Sequence, residues 1–156
     1  MFKTILWATD GSETAAGALP YALGLAEPDR AKIVVAHARE ISVGRGGGYP
    51  VLADESELRA QIGRQVEDLQ SGGLDATFIV RSCTAGNAAH AIAKIAEEVG
   101  ADLILVGTHG YGRVAGLLLG SVTQGLLHAG VCPVLAVPTG APVEAPEHEL
   151  VTSTTQ

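Results

Sequence analysis

Apolar residues fall into short runs separated by stretches of helical spacing. Residues 3–8 (KTILWA) form such a run and stop at Thr9-Asp10-Gly11-Ser12, which predicts a strand and a turn. Ala15, Leu19, Ala22 and Ala26 then recur at helical spacing. Ser12 suits the N-cap of that helix, and Pro20 inside it predicts a kink or a late start. Residues 32–38 (KIVVAHA) are β-branched and predict a second strand. Residues 41–53 break the pattern, because Gly44, Gly46, Gly47, Gly48 and Pro50 make regular structure costly. They predict a mobile glycine-rich loop.

Asp54-x-x-Glu57 has the form of a capping box, and Leu58, Ile62, Val66 and Leu69 continue it as a helix that ends at Gly72-Gly73. Residues 76–80 predict a third strand. Ala88, Ile92, Ile95 and Val99 predict a helix closed by Gly100. Residues 102–106 (DLILV) are apolar without a break, as in a strand covered on both faces of a parallel sheet. Ser121 opens the last helix, with Gln124 as its capping-box partner and Gly130 as its end. Val134–Val137 is the fifth strand, and residues 139–156, rich in Pro, Glu, Thr and Ser, predict a flexible tail. Strand and helix alternate throughout, with no internal repeat. This order predicts an α/β fold: one domain over 1–138 with a doubly wound, five-stranded parallel sheet. Ligands of such sheets bind beyond the carboxyl ends of the strands, where the winding reverses.

Composition narrows the function. The chain has 156 residues, enough for folding to bury about two-thirds of its unfolded surface. Hydrophobic residues make up 47% but aromatics only 4%, so Ala, Val, Ile and Leu must build the core. Ten Lys and Arg against seventeen Asp and Glu leave a net charge of −7. That balance argues against nucleic acid and against an anionic membrane surface as partners. No apolar run approaches the roughly 20 residues that a membrane helix needs. The start, MFKTILWATDGS, lacks the form of a secretory signal. Cys83 and Cys132 form no disulfide framework or metal spacing, which with the charge predicts a cytoplasmic protein with reduced thiols.

Two strand ends can carry chemistry. The first strand ends in Thr9-Asp10-Gly11-Ser12. The fourth ends in Gly107-Thr108-His109-Gly110-Tyr111-Gly112-Arg113 and leads through Gly120-Ser121 into a helix. Glycines let such a loop approach a ligand closely, and a helix N-terminus favours an anion. Arg113 is the one cation of the stretch and is placed to meet phosphates, as is His109, which alternatively braces the loop. No P-loop or dinucleotide fingerprint is present.

Gly107-x-x-Gly110, nine residues and then Gly120-Ser121 form a joint pattern, intact here as VGTHGYGRVAGLLLGSVTQGLL. With ILWATDGS, VVAHARE, ADLILVGTHG and CPVLAVP around it, the chain resembles the ATP-binding members of the universal stress protein family over roughly residues 2–138. The resemblance implies a Rossmann-like fold of the adenine nucleotide alpha hydrolase-like type. It implies that Asp10 binds ribose hydroxyls, that the main chain at Ala38 meets adenine, and that Gly107 packs near the ribose. Gly110, Gly120, Ser121 and Val122 would hold the phosphates, beside Gly112 in the same loop. ATP with Mg²⁺ or Mn²⁺ held mainly through its phosphates is the implied ligand, and a homodimer through Val134–Val137 the implied assembly. The sequence departs from the family in the glycines of 44–48, which form either a lid or a solvated loop, and in Gly86-Asn87-Ala88, where Gly-x-Pro is common.

The leading expectation is therefore an ATP-binding stress-response or regulatory module. A slow ATPase or autophosphorylating enzyme is the first alternative, although no dedicated base is visible. A nucleotide-independent dimeric interaction module is the second. His37 reads as a packed strand histidine, His90 and His128 as surface or packing residues, Glu97-Glu98 as a solvated face, and Asp102 as a cap at a strand entry. His148 lies in the tail, and Tyr111 would face a ligand or a partner.

Overall fold

A computed structural model describes residues 1–44, 47–50, 54–109 and 119–140. The elements are β1 (Thr4–Ala8), α1 (Glu13–Ala16), α2 (Leu19–Ala26), a 3-10 turn (Glu27–Asp29), β2 (Lys32–Gly44), β3 (Gly47–Pro50) and α3 (Glu55–Ser71). They continue with β4 (Ala76–Thr84), α4 (Ala88–Val99), β5 (Leu103–Gly107), α5 (Ser121–Ala129) and β6 (Val134–Val137). Five strands run parallel in the order β4-β2-β1-β5-β6. The chain winds outward from β1 first through β2 and β4, then through β5 and β6, so the reversal falls between β1 and β5. This is the doubly wound α/β sheet that the alternation predicts.

Successive strand residues point to opposite faces, which divides the core in two. Ile5, Trp7, Ile33, Val35, Leu103 and Leu105 pack on one face with Ala22, Ala26, Ile62 and Val66 from α2 and α3. Leu6, Ala8, Val34, Ala36, Ile104 and Val106 pack on the other with Ile92, Ile95, Ala96 and Leu126 from α4 and α5. Asp102 caps the sheet at its entry, accepting from the main-chain N–H groups of Lys3 at 2.8 Å and Thr4 at 3.4 Å.

The Ser12 cap and the break at Pro20 are as expected, and two other expectations change. The first helix is two pieces, with Ser12 capping α1 through Ala15 N–H at 3.2 Å and Pro20 in the first turn of α2. Proline has no N–H to leave unpaired there, so it starts a helix more cheaply than it continues one. Asp54 precedes α3, but its side chain makes no capping bond.

The largest change concerns the glycine-rich stretch. Residues 41–44 extend β2 and residues 47–50 pair with them antiparallel, so a sixth strand joins the five parallel ones. β4 likewise runs to Thr84, pairing with β2 as far as Ile41. Ile41 is thus paired on both edges, and β3 lies on the β1 edge of β2, past the end of β1. The Ile41 carbonyl accepts from Ala85 N–H at 3.2 Å on the β4 side, so the Ile41–Pro50 pair demands no N–H from the proline. The ladder to β4 carries β2 as far as Ile41, and the glycines follow in the antiparallel pairs Val43↔Gly48 and Gly44↔Gly47. Residues 45–46 and 51–53 of the expected loop lie outside the described residues, as do 141–156 of the expected tail.

α4 and α5 touch closely at Gly125, where an added Cβ would stand 2.4 Å from the Cβ of Ala89. Gly125→Ala should therefore destabilise the fold by about 1–3 kcal/mol through overpacking. Adding Ala89→Gly should recover part of that loss in urea denaturation, since it removes the clash at a helix-propensity cost of about 1 kcal/mol. A double variant no more stable than Gly125→Ala would contradict this packing.

Candidate functional site

A cavity of about 260 Å³ opens at the carboxyl ends of β1 and β5, where the winding reverses. Its wall includes Asp10, Ala38, Gly107, His109, Gly120, Ser121 and Val122. Every described residue of the sequence-predicted site thus lies on one cavity. Gly110, Gly112 and Arg113 lie outside the described residues.

The turn after β1 is held locally. Thr9 Oγ1 accepts from Gly11 N–H at 3.1 Å, and Asp10 Oδ1 accepts from Ser12 N–H at 2.9 Å. Gly11 has φ 80°, which glycine adopts without strain. The sequence therefore makes a tight reversal that leaves Asp10 on the cavity wall.

Ala38 is placed by the ladder. Main-chain groups of alternate β2 residues face β1: Lys32 N–H donates to the Lys3 carbonyl and the Ala36 carbonyl accepts from Thr9 N–H, both at 2.9 Å. The β1–β2 register ends at Ala8↔Ala36. Ala38 continues the alternation past that end, so its main-chain N–H and C=O face the open space above β1. A main-chain pair of donor and acceptor recognises a heterocycle edge whatever the side chain.

Gly107 has a structural reason that the sequence did not show. A Cβ there would stand 2.9 Å from the main chain and the Cγ2 of Thr14, so α1 can reach β5 only over a glycine. The Gly107 carbonyl accepts from the buried Thr123 hydroxyl at 3.0 Å, which ties α5 to the same strand end. Thr14 in turn shares a 2.9 Å hydroxyl contact with Thr139, so the chain just after β6 returns to this wall.

The start of α5 differs from the expected capping box. Gly120 is the N-cap, with extended backbone (φ −69°, ψ 161°), and Ser121 is the first helical residue. Gln124 donates to the Leu119 carbonyl at 2.9 Å rather than closing on Ser121. Gly120 N–H is taken by the Thr108 carbonyl, and the first bond of the helix runs from Gln124 N–H to the Gly120 carbonyl at 3.0 Å. The N–H groups of Ser121, Val122 and Thr123 precede that bond and sit at the positive end of the helix, on the cavity wall. Such a helix start has the groups to hold an anion. Among the described lining residues, Asp10 and Glu40 are carboxylates and none is Lys or Arg. His109 Nδ1 lies 3.1 Å from the Thr108 hydroxyl, so one ring nitrogen is engaged within the loop.

His37 is packed, as expected, but its partner was not foreseen. The ring is buried against Thr9 and against Glu55, a residue that the capping-box reading passed over. A charged residue placed one position past a loop is a weak signal, and only the fold brings it to a strand 18 positions away. As expected, His90 and His128 are on exposed helix positions, and Glu97 and Glu98 are exposed and paired with Lys94 and Arg81, while Tyr111 and His148 lie outside the described residues.

Cys83 faces Glu40 across the β2–β4 register, and burial first, then the Glu40 charge, pushes its thiol up from the ordinary value. Burial and then Asp102 do the same to Cys132. A raised value means less thiolate at neutral pH, and the thiolate is the nucleophile. Both thiols should alkylate with iodoacetamide more slowly than a free cysteine at pH 8. Glu40→Gln should speed Cys83 alone, read by mass spectrometry of its peptide. An unchanged Cys83 rate would remove Glu40 from the account.

The profile of the universal stress protein family matches residues 1–138. A Thermus aquaticus protein named "Universal stress protein in QAH/OAS sulfhydrylase 3'region" is 37% identical over 140 residues, covering 88% of this chain and 99% of the relative. The solved structure of MJ0577, a universal stress protein of Methanocaldococcus jannaschii, matches with a TM-score of 0.68 and 27% identity, over 91% of this chain and 99% of that one. A universal stress protein solved in complex with cAMP matches with a TM-score of 0.63 and 26% identity, over 88% and 98% of the two chains.

Proposed function

The chain belongs to the universal stress protein family, and on that premise we propose that it is an adenine-nucleotide-binding module, with ATP as the nucleotide. One observation carries the reading: the cavity at the winding reversal joins a carboxylate, a main-chain donor and acceptor, and a helix N-terminus. Each suits one part of a nucleotide. Asp10 is an acceptor for ribose hydroxyls, and Ala38 offers main-chain groups to adenine. Ser121, Val122 and the N-terminus of α5 offer N–H groups to phosphate. The complex of a family member with cAMP supports an adenine nucleotide over other anions.

The carboxylates on the wall oppose a bare triphosphate, so Mg²⁺ or Mn²⁺ bound through the phosphates and water would accompany ATP. The ion offsets phosphate charge, while the chain's own groups orient the ribose and hold the phosphate oxygens. Regulation of a stress response would follow from a fold that differs in stability or partner choice with nucleotide bound. The same reading places the protein in the cytoplasm as a homodimer. β6 pairs only with β5 among the described strands, and Leu135 on it is 37% exposed, which leaves an apolar edge for a second copy. Among the described residues no helix is long and apolar enough to cross a membrane.

The test is to denature protein purified from cells and identify the released nucleotide by chromatography with mass detection. ATP near one per chain is expected. ADP or AMP instead would favour turnover, and an empty protein that also ignores added Mg·ATP would favour the nucleotide-independent module. In calorimetric titration, Ser121→Glu puts a carboxylate at the helix start and should weaken ATP binding about tenfold or more through like-charge repulsion. Unchanged affinity would remove α5 from the phosphate site.

A further inference from the structure

The buried pair His37–Glu55 stands apart from the nucleotide-facing groups, yet it touches the turn that presents one of them. His37 is 1% exposed and Glu55 5% exposed. His37 Nδ1 lies 2.9 Å from the Thr9 carbonyl, which can only accept, so this nitrogen carries a hydrogen and donates it. Nε2 faces both carboxyl oxygens of Glu55, at 3.1 and 3.3 Å. Both ring nitrogens are thus engaged. Although the ring reaches the cavity wall, neither nitrogen is left to act on a ligand as a base.

Thr9 is the last residue before Asp10. Its N–H donates to the Ala36 carbonyl at 2.9 Å, and its carbonyl, past the last paired residue of β1, takes its donor from His37. Both main-chain groups of Thr9 are therefore clamped to β2, one by the backbone and one by a side chain. Glu55 holds the far side of the ring from the first position of α3, where the helix dipole favours a carboxylate. Aliphatic residues of the same volume would fill this space without the cost of burying a charge. The polar pair supplies a direction that aliphatic packing lacks: it fixes the ring, and the ring fixes the peptide preceding Asp10.

We infer that His37 and Glu55 are positioning residues that set the Thr9–Asp10 turn and with it the ribose contact of the bound nucleotide. The inference deepens the adenine-nucleotide reading and rests on it. The pair also joins the Thr9–Asp10 turn to the start of α3.

The experiment compares AMP with its 2′,3′-dideoxy analogue by calorimetric titration of the full chain, for the parent and for Glu55→Leu, Asp10→Asn and the double variant. Leucine fills the space of Glu55 but can neither donate to nor accept from Nε2, whereas a glutamine amide could still hold the ring. The parent should prefer AMP over the analogue. Glu55→Leu should weaken AMP about tenfold and leave the analogue nearly unchanged, as should Asp10→Asn. The double variant should lose little more than either single one, because both act through one contact. Equal loss for the two ligands, no loss, or additive losses would overturn the positioning role while leaving the nucleotide site in place. A parent that binds neither ligand would overturn the nucleotide reading, and the inference with it. Should Glu55→Leu fail to fold, Glu55→Asp keeps a carboxyl group but draws it back from the ring. Loss of ribose preference is again expected, and retained preference would again overturn the role.

Discussion

Strand β1 is paired along both edges and buried on both faces from Ile5 to Ala8. The chain leaves it first toward β2 and later returns beside it as β5, so the two halves wind in opposite directions from one strand. The helices that follow β1 and β5 then lie on opposite faces of the sheet: α1 and α2 on one, α5 on the other. Among the described residues, the cavity lies between these two strand ends. The two half-cores, the close approach at Gly107 and the site itself all depend on this arrangement.

Close contact around β1 explains several residues that look ordinary alone. Trp7 Nε1–H donates to the Ala15 carbonyl at 2.9 Å, which draws α1 down onto the strand. Gly107 gives up its side chain to let Thr14 sit there. Thr123 closes the wall from α5. The site is therefore made chiefly from main-chain groups held at short range, with few charged side chains among its described residues. Main-chain donors are fixed by the fold, so a ligand that met them would cost them little freedom.

Local patterns made much of this legible. The apolar runs located β1, β5 and β6 to within a residue or two, and helical spacing located α3 and α4. Asp10, Ala38, Gly107, His109, Gly120, Ser121 and Val122 could be singled out because turns, glycines and a helix start are short-range signals, and because the spacing resembled a known family. The β2–β3 hairpin was not legible. Glycine at four of five positions argues against a strand locally, and only the ladder to β4, formed with residues more than forty positions away, carries β2 through to Ile41. Ser121 misled for a related reason. Its hydroxyl makes it a good cap in isolation, but the approach of the chain through Gly120 to Thr108 places the cap one residue earlier.

The sequence by itself determined the alternation of strand and helix, the two-sided burial of β5, and the placement of the glycine motif at a strand end. These follow from periodicity, from missing side chains and from residues that terminate helices, all of which act within a few positions. Only the tertiary structure decided that Gly107 serves helix packing, that Glu55 meets His37, and that their contact reaches the peptide before Asp10. Those contacts join segments that share no local pattern. Their energy comes from burial and from hydrogen bonds in a low-dielectric interior, which exist only once the sheet has brought the segments together.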